Sequence, residues 1–419
     1  MARSMYVSVN DIMHDPDQTR IYNLKKDKRY VVEGCAGSGK SSLALLLLQK
    51  VLAEYGEKED VQTPVYYLTT AHELVECVRQ QFGSFKLDPP LKYNDYAITG
   101  GQNGAWGSGV ISDLQRKDQN PNGPYMINSR QCMLRQRTTV GMYRSFVNVD
   151  IAINKNPDYL LIDEAQDFNR ASIEDFLNRA GRGCVFYGDD TQAIMGFANP
   201  MDLNSIEVLL KSRYGETDAE GREIIYKYTL KRNWRLSKQI AAFAQALPNG
   251  VPDPELLLRC RGEYKERPIV TCKASEADMV DYMRKFCITA TLDDDIGIIL
   301  RSNEEVKRIY EGSTQFGHKG LKGLGNVSAR YSINGNGYTP DDYTYLRNTP
   351  VKIMTYENAK GQQFRDVFLI GSEDALNDPQ GLNRFYVGVT RAERFLRILH
   401  IGAVPSFIQS IDPDLWIKE

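Results

Sequence analysis

Short apolar runs alternate with longer mixed stretches along most of the 419-residue chain. We predict a buried strand at each run, because a short apolar run between turn signals is typical of a strand in a parallel sheet. The stretches between several runs have helical length and periodicity, so the alternation predicts an α/β protein with a parallel sheet in each half. Strands are predicted at residues 31–32, 65–70, 159–162, 184–188, 224–230, 269–272, 296–300, 351–354, 367–370 and 395–400, and the longer helices at about 71–82, 200–214, 276–286 and from 383.

Changes in composition predict the domain organisation. The polar stretch GETDAEGRE at residues 215–223 predicts a boundary that separates domains of residues 1–220 and 221–419. Residues 83–140 begin with weakly periodic sequence rich in Gly, Asn and Pro, which predicts a long loop or a small insertion. Residues 311–347 are glycine-rich and polar, which predicts a loop or hairpin excursion.

The sequence GCAGSGKSS follows the first apolar run and precedes another at residues 43–48. It fits G-x-x-x-x-G-K-S, which forms a phosphate-binding loop when it lies between a strand and a helix. Glycines let backbone N–H groups turn towards an anion, the lysine reaches the β- and γ-phosphates, and the serine hydroxyl takes one Mg²⁺ position. The alternative is a glycine turn that binds nothing. The predicted nucleotide-binding residues are Gly34, Cys35, Ala36, Gly37, Ser38, Gly39, Lys40, Ser41 and Ser42.

Two later apolar strands end in residues that suit phosphoryl transfer. Asp163 and Glu164 follow the strand at 159–162, so that one carboxylate can hold Mg²⁺ and the other can orient or deprotonate the attacking water. Gln192 follows the strand at 184–188. Ligands bind at the carboxyl ends of strands in open α/β sheets, so its amide is predicted to contact the γ-phosphate there.

The overall charge limits how a nucleic acid could be bound. The net charge is −2, so a nucleic-acid partner would have to be held by a local groove. Arginines and aromatic residues are interleaved in a stretch between residues 119 and 149 that has no acidic side chain. This pattern suits a nucleic-acid backbone with stacked bases, and a solvated helix face with core aromatic residues is the alternative.

Cysteine usage and hydropathy predict the compartment. The seven cysteines include no C-x-x-C pair and the four histidines are dispersed, which argues against a zinc site. Scattered single cysteines suit a reducing compartment. The first 20 residues contain no apolar signal segment, and the run at 43–48 is too short to span a bilayer. We therefore expect a cytoplasmic protein without a membrane segment.

The motifs together resemble those of the superfamily 1 DNA helicases of the UvrD/Rep type, over nearly the whole chain. GCAGSGKS resembles motif I, LLIDEAQD motif II, YGDDTQAIMGF motif III and LKRNWRLSKQI motif IV. KIMTYENAKGQQFRDV resembles motif V, and LNRFYVGVTRA resembles motif VI. The resemblance implies two RecA-like P-loop NTPase domains with parallel sheets and an ATP cleft between them, with ATP and Mg²⁺ as cofactors.

The resemblance also implies roles for single residues. Gln18 would read the adenine, for which a side-chain amide has one donor and one acceptor, and Gln363 would contact the ribose. Ser41 and Asp163 would hold Mg²⁺, Glu164 would activate water, and Gln192 would sense the γ-phosphate. Lys40, Arg235 and Arg391 would stabilise the transferred phosphate, the two arginines as arginine fingers. The residues expected at single-stranded DNA are Thr69, Arg144, Phe197, Trp234 and Thr355; for Phe197 and Trp234, base stacking and core packing are both open.

The sequence departs from the family pattern in three respects. Met195 stands where the family usually has Tyr, and Met142 and Arg144 stand where it has Thr and His. Gln363 stands where many relatives have a ribose-binding Glu. The spacing between motifs leaves room for only small accessory insertions, so we expect the two motor domains with little else.

Two functions follow as hypotheses. The first is an ATP-dependent DNA helicase or single-stranded DNA translocase, for which the resemblance suggests 3′ to 5′ movement. The second is an ATP-controlled switch subunit that docks on a partner, such as a nuclease, in DNA repair or anti-phage defence. A small-molecule kinase shares the phosphate loop but leaves DEAQD, Gln192 and the two arginines unexplained.

Overall fold

The computed structural model describes residues 12–24, 28–56, 65–69, 96–100, 125–127, 134–138, 141–145, 151–153, 159–168, 170–179, 183–194, 200–248, 254–263, 265–332, 338–339, 345–371 and 380–419. Its helices are α1 (Pro16–Tyr22), α2 (Lys40–Gly56), α3 (Arg170–Arg179), α4 (Leu203–Tyr214), α5 (Lys238–Gln245), α6 (Leu256–Arg259), α7 (Glu276–Cys287), α8 (Asn303–Glu311), α9 (Tyr345–Asn348), α10 (Tyr356–Ala359), α11 (Gly381–Val389) and α12 (Ser406–Gln409). Within these ranges, no helix combines the length and the apolar character needed to cross a bilayer.

The strands are β1 (Arg29–Gly34), β2 (Val65–Thr69), β3 (Tyr96–Gly100), β4 (Tyr125–Ile127), β5 (Leu134–Thr138), β6 (Gly141–Ser145), β7 (Ile151–Ile153), β8 (Tyr159–Ile162), β9 (Gly183–Gly188), β10 (Ile225–Leu230), β11 (Ile269–Lys273), β12 (Ile296–Leu300), β13 (Val327–Ala329), β14 (Tyr331–Ser332), β15 (Tyr338–Thr339), β16 (Val351–Thr355), β17 (Phe364–Ile370), β18 (Ala392–Ile401) and β19 (Ile417–Lys418). They form two large parallel sheets and three two-stranded ladders, β4–β7, β5–β6 and β14–β15.

The described chain forms two compact units, each with one large sheet. The first unit comprises the described residues up to Gly34 and from Gly39 to Lys231. The second comprises Cys35–Ser38 and Arg232–Glu419. Four residues of the predicted phosphate loop are therefore grouped with the second unit, although they lie between β1 and α2 in sequence.

The first unit is built on a six-stranded sheet in the order β10-β1-β9-β8-β2-β3, with all neighbours parallel. Its central strands are apolar on both faces. Val32 and Leu161 lie in a core with α2, whereas Val31 and Leu160 lie in a second core with α3 and α4. Successive strand residues point to opposite faces, so a strand covered on both sides must be apolar throughout. Polar groups are therefore concentrated at the strand ends.

The second unit is built on a seven-stranded sheet in the order β13-β16-β12-β17-β18-β11-β19, also parallel throughout. Every residue of β12 is buried. Ile296, Ile298 and Leu300 pack with apolar residues of α7 and α8 in one core. This strand thus shows the continuous apolar run from which it was predicted.

The two sheets confirm the predicted α/β class with a parallel sheet in each half and are consistent with RecA-like domains. Most predicted strand and helix positions agree within three residues. The helix predicted at about residues 71–82 lies outside the described residues. Helix α4 begins at Leu203 instead of residue 200, because the Asp202 carboxylate caps it by accepting a hydrogen bond from the Ser205 N–H at 2.6 Å.

Strand pairing adds three details to the predicted organisation. Strand β3 lies within residues 83–140 and pairs with β2, and β13 lies within the 311–347 excursion and pairs with β16. Strand β10 follows the predicted boundary at residue 220 but pairs with β1, so the first sheet extends to Leu230. These are edge strands of three to six residues. A short edge strand carries little hydrophobic pattern, and its partner is decided by the tertiary structure.

Close packing at Gly297, on β12 of the second unit, can be tested by substitution. An added Cβ there would lie 2.5 Å from the Phe364 ring. We expect Gly297→Ala to lower the free energy of unfolding by about 1–3 kcal/mol, the usual cost of overpacking, as measured by urea unfolding. Gly323→Ala is the matched control, because a Cβ there meets no atom within 4 Å. Equal unfolding midpoints for the two variants would contradict this packing.

Candidate active site

The phosphate loop connects β1, which ends at Gly34, to α2, which begins at Lys40. Gly37 and Gly39 have φ angles of +77° and +88°, a backbone region that favours glycine. The Lys40 ammonium folds back along the loop and donates a hydrogen bond to the Gly34 carbonyl oxygen at 2.6 Å. The loop therefore has a compact conformation with its cation held over it. Among its other residues, Cys35, Ala36 and Ser38 are buried, and Ser41 and Ser42 are half-buried.

Gln18 lies against this loop. It is buried on α1, a short helix capped by the Asp15 carboxylate, which accepts a hydrogen bond from the Asp17 N–H at 2.9 Å. A Cβ added to Gly39 would lie 2.6 Å from the Gln18 Nε2 atom, so the glycine leaves space for the amide. Gln18, the residue predicted to read the adenine, precedes Gly34 by 16 residues in the sequence, and in the structure it lies beside the loop.

The two adjacent acids lie directly after β8. Asp163 is fully buried, and its Oδ1 atom accepts a hydrogen bond from the Glu164 N–H at 3.0 Å. Glu164 has φ = +55°, a left-handed conformation that costs a non-glycine residue about 1 kcal/mol or more. This turn ends the alternation of strand side chains, which allows both carboxylates to lie at one edge of the sheet.

Asp189, directly after β9, gathers three side chains of the site. Its Oδ2 atom accepts a hydrogen bond from Gln192 Nε2 at 2.5 Å and lies 4.0 Å from Lys40 Nζ. Its Oδ1 atom accepts a hydrogen bond from the Thr191 hydroxyl at 2.6 Å. Lys40 and Gln192, both predicted to contact the γ-phosphate, therefore meet at one carboxylate oxygen. No role of Asp189 was predicted from the sequence.

Gln166 joins the two acidic segments. Its Nε2 atom donates a hydrogen bond to Glu164 Oε2 at 2.6 Å, and its Oε1 atom accepts one from the Asp189 N–H at 3.0 Å. The side chain is 1% exposed. Within the sequence DEAQD nothing predicts a function for this glutamine. Its position is recognised only from the structure, where it spans the ends of β8 and β9.

Strand register explains why these groups meet. In the register of the first sheet, four residues pair side by side across β2, β8, β9 and β1: Leu68, Ile162, Phe186 and Val31. The residues that follow them, including Thr69 at the end of β2, therefore lie along one carboxyl edge. Thr69 is fully buried.

The charge density at this edge affects its ionisation. Burial raises the pKa of Asp190 to about 6, and the nearby carboxylates of Asp202, Glu33 and Asp189 add to the shift. The Leu203 N–H, which donates to Asp190 Oδ1 at 3.1 Å, opposes it. The pKa of the Tyr187 phenol is raised by burial and by the charge of Asp163. The site thus concentrates negative charge around the single lysine of the loop.

In the second unit, Asn233 holds the loop residues Cys35–Ser38. Its Nδ2 donates a hydrogen bond to the Ala36 carbonyl oxygen, and its Oδ1 accepts hydrogen bonds from the N–H groups of Arg235 and Leu236, each at 3.0 Å. The Trp234 N–H donates to the Gly37 carbonyl oxygen at 2.9 Å. Asn233 is fully buried, and no function was predicted for it from the sequence.

The two predicted arginine fingers lie close together. Arg235 Nη1 donates a hydrogen bond to the Thr390 carbonyl oxygen at 3.4 Å. Arg391 is 2% exposed and donates to the Val387 and Gln362 carbonyl oxygens and to the Thr390 hydroxyl, at 3.0, 3.1 and 3.2 Å. Arg391 therefore also holds α11 and the segment before β17 together.

A cavity of about 750 Å³ in the second unit is lined by Trp234, Arg235 and Gln363. Four cationic and four acidic side chains surround it, so its charge is balanced. Such a lining suits a polar or aromatic group better than a bare phosphate. The Trp234 side chain is 45% exposed, so it does not pack in the core.

The other residues predicted for nucleic acid are located only in part. Thr355 ends β16, is buried, and its hydroxyl caps α10 by accepting from the Asn358 N–H at 3.3 Å. Arg144 lies on β6 opposite Arg135 of β5. Phe197 and Met195 lie outside the described residues.

Ser41 and Asp163 fit the proposed Mg²⁺ site in their chemistry. A hydroxyl and a carboxylate are hard oxygen ligands, and Mg²⁺ usually takes few protein ligands beside water and phosphate. Among the described residues, no group of three or more His, Cys, Asp or Glu could hold a metal ion.

The chain is only weakly similar to proteins of known structure. No protein-family model and no curated protein matches the chain. The solved C-terminal domain of a possible DNA helicase from Lactobacillus plantarum WCFS1 is 18% identical with a TM-score of 0.31, over 44% of this chain and 98% of that one. The PRRSV helicase and the Arterivirus nonstructural protein 10, a helicase, are both 12% identical with a TM-score of 0.36.

The two viral matches cover 91% and 94% of this chain but only 54% and 64% of the viral chains. This chain therefore corresponds to less than two thirds of each viral protein. At these TM-scores the similarity supports no argument about activity, which has to rest on the residues of the site.

The raised pKa of Asp190 predicts a pH-dependent stability. Its usual pKa is 3.8, so between pH 4 and pH 6 the folded state binds more protons than the unfolded state, and stability falls as pH rises. Asp190→Asn removes this ionisation and keeps an acceptor for the Leu203 N–H. We expect the free energy of unfolding of the variant, measured relative to wild type, to rise between pH 4 and pH 7. Because Asp190 is partly exposed, we expect this rise to be only about 1 kcal/mol. Urea unfolding at both pH values measures the change, and a constant difference would contradict it.

Proposed function

We propose that this chain is a nucleic-acid-stimulated ATPase of the superfamily 1, UvrD/Rep type, which moves along single-stranded DNA from 3′ to 5′ and opens duplex DNA. The observation that carries the proposal is the convergence of Lys40, Asp163, Glu164 and Gln192 at the carboxyl edge of one parallel sheet. A loop lysine, two adjacent carboxylates and an amide are the groups that transfer of a phosphoryl group to water requires.

ATP is the proposed substrate. Lys40 binds the β- and γ-phosphates together with the N–H groups of the loop, and Gln18, held against Gly39, reads the adenine edge. Ser41 and Asp163 hold Mg²⁺, which when bound offsets charge on the phosphates. Gln363 contacts the ribose from the cavity that it shares with Arg235 and Trp234.

Glu164 is the proposed general base. Its carboxylate is buried, and its left-handed backbone directs it to the edge where the phosphate loop begins. A positioned carboxylate that takes a proton from the attacking water contributes typically 10²- to 10⁴-fold in rate. Gln192 is the proposed γ-phosphate sensor, because its amide donates to the Asp189 carboxylate, whose Oδ2 atom lies 4.0 Å from Lys40 Nζ.

Arg235 and Arg391 stabilise the charge of the transferring phosphate in this proposal. An arginine finger is worth roughly 10³- to 10⁵-fold in the rate of such reactions. Engagement of these arginines in each cycle of hydrolysis is the proposed link between ATP turnover and movement along the strand. The strand is proposed to contact Thr69, Arg144, Phe197 and Thr355. The exposed indole of Trp234 can stack on a base of the strand or of the nucleotide.

The first test is steady-state ATP hydrolysis with and without single-stranded DNA. We expect stimulation by the strand, and a loss of about 10²-fold or more in Lys40→Ala and Glu164→Gln, because one removes the phosphate-binding cation and the other the base. Rapid hydrolysis that is indifferent to DNA and RNA would contradict the motor and favour an ATP-controlled switch that docks on a protein partner.

Replacing either arginine is expected to slow ATP turnover, but only replacement of Arg391 is expected to lower the stability of the protein. Arg235→Lys keeps the charge and loses the planar fork, so we expect kcat to fall about 10³-fold with little change in Tm. Arg391→Lys should lower kcat and also the free energy of unfolding by about 2–3 kcal/mol, because it breaks up three buried hydrogen bonds. Arg222→Lys, in an exposed ion pair with Asp218, is the control. Equal Tm values for the Arg235 and Arg391 variants would contradict this difference.

A further inference from the structure

The buried amide of Gln166 lies between the proposed base and the proposed γ-phosphate sensor. On one side its Nε2 atom is 2.6 Å from Glu164 Oε2. On the other side its Oε1 atom is 3.0 Å from the Asp189 backbone nitrogen.

The chemistry of the two partners fixes the orientation of the amide. An ionised carboxylate only accepts hydrogen bonds, and a backbone N–H only donates. A reversed amide would place its oxygen against Glu164 and its NH₂ group against the Asp189 N–H. Both contacts would then be repulsive, which in a buried position is costly. Gln166 therefore has one satisfied orientation, and that orientation restrains the Glu164 carboxylate.

The Asp189 side of the contact leads to the phosphate-binding groups. Asp189 Oδ2 accepts the hydrogen bond from Gln192 and is 4.0 Å from Lys40 Nζ. A path of three hydrogen bonds thus runs from Gln192 through Asp189 and Gln166 to Glu164. A phosphate that attracts Lys40 and Gln192 competes with the Asp189 carboxylate for them.

Space for this path is provided by Gly188, the last residue of β9. A Cβ at this position would lie 2.7 Å from Gln166 Oε1 and 2.6 Å from Leu203 Cδ2. Gly188 does not have a positive φ angle, so it is the closeness of these side chains that requires a glycine. The close approach of the amide is therefore built into the strand end.

We propose that Gln166 is a positioning residue that couples the γ-phosphate sensor to the catalytic carboxylate. Phosphate binding at Lys40 and Gln192 changes the hydrogen bonding of Asp189, and Gln166 transmits the change to the orientation of Glu164. This inference rests on the proposed ATPase function and adds a means of regulation: Glu164 is aligned for water activation when a γ-phosphate is bound.

The test measures kcat and KM for ATP in Gln166→Met, which keeps the length of the side chain and removes both hydrogen bonds. We expect kcat to fall about 10²-fold with KM changed less than about 3-fold, because a misplaced base affects the chemical step more than binding. Asn326→Leu is the control. It also removes an amide with two hydrogen bonds, to the Cys287 and Ala290 carbonyl oxygens of the second unit, and it should lower Tm without changing kcat.

A double-mutant cycle separates coupling from general damage. If Gln166 acts on the path from Gln192, the Gln166→Met and Gln192→Met losses in kcat are not multiplicative, and the double variant resembles the worse single variant. Multiplicative losses, or an unchanged kcat in Gln166→Met, would overturn the inference. If Gln166→Met does not fold, Gln166→Glu replaces it. That variant keeps the acceptor for the Asp189 N–H and places a like charge beside Glu164, and its kcat should fall in the same way.

The same assays separate this inference from the proposed function. If wild type does not hydrolyse ATP, or if Glu164→Gln leaves hydrolysis unchanged, the proposed function is overturned and the inference with it. If hydrolysis depends on Glu164 and Lys40 but not on Gln166, the proposed function stands and only the inference is overturned.

Discussion

In each unit a parallel sheet is buried on both faces, and this burial decides where polar side chains can lie. Helices cover both sides of the first sheet, so its central strands are apolar at successive positions, as at Val31 and Val32. Polar side chains are excluded from the strands and begin where the strands end. Because the neighbouring strands are parallel and in register, those ends lie at one edge. The candidate active site is therefore a consequence of how the core is built.

Several carboxylates lie close together at this edge, where they repel one another, and hydrogen bonds from neighbouring groups stabilise them. Asp163, Glu164, Asp189 and Asp190 follow β8 and β9, and the Lys40 ammonium lies 4.0 Å from Asp189 Oδ2. Two glutamine amides, the Thr191 hydroxyl and several backbone N–H groups donate to these carboxylates. Burial still disfavours the charged form of Asp190, which raises the pKa of its carboxyl group. In the proposed function, a bound nucleotide competes for these contacts, so the groups that stabilise the site are also the ones proposed to respond to phosphate.

In the second unit, the buried side chains of Asn233 and Arg391 fix backbone positions. Asn233 holds the Ala36 carbonyl oxygen and the start of the segment that carries Arg235. Arg391 binds two carbonyl oxygens besides the Thr390 hydroxyl. A residue whose hydrogen bonds already hold the fold cannot be removed without structural cost. Stability and turnover therefore have to be measured together for each residue of this region.

The fold class, the glycine loop between β1 and α2 and the adjacent acids after β8 could be predicted from the sequence, because each depends on local features: continuous apolar runs, glycine spacing and the order of residues within one turn. Strand order, the inclusion of β3, β10 and β13 in the two sheets, and the contacts of Gln166, Asp189 and Asn233 depend on the tertiary structure. A buried amide looks the same in sequence whatever it binds. Its role is set by partners 23 and 197 residues away, at Asp189 for Gln166 and at Ala36 for Asn233, and only folding brings such partners within hydrogen-bonding distance.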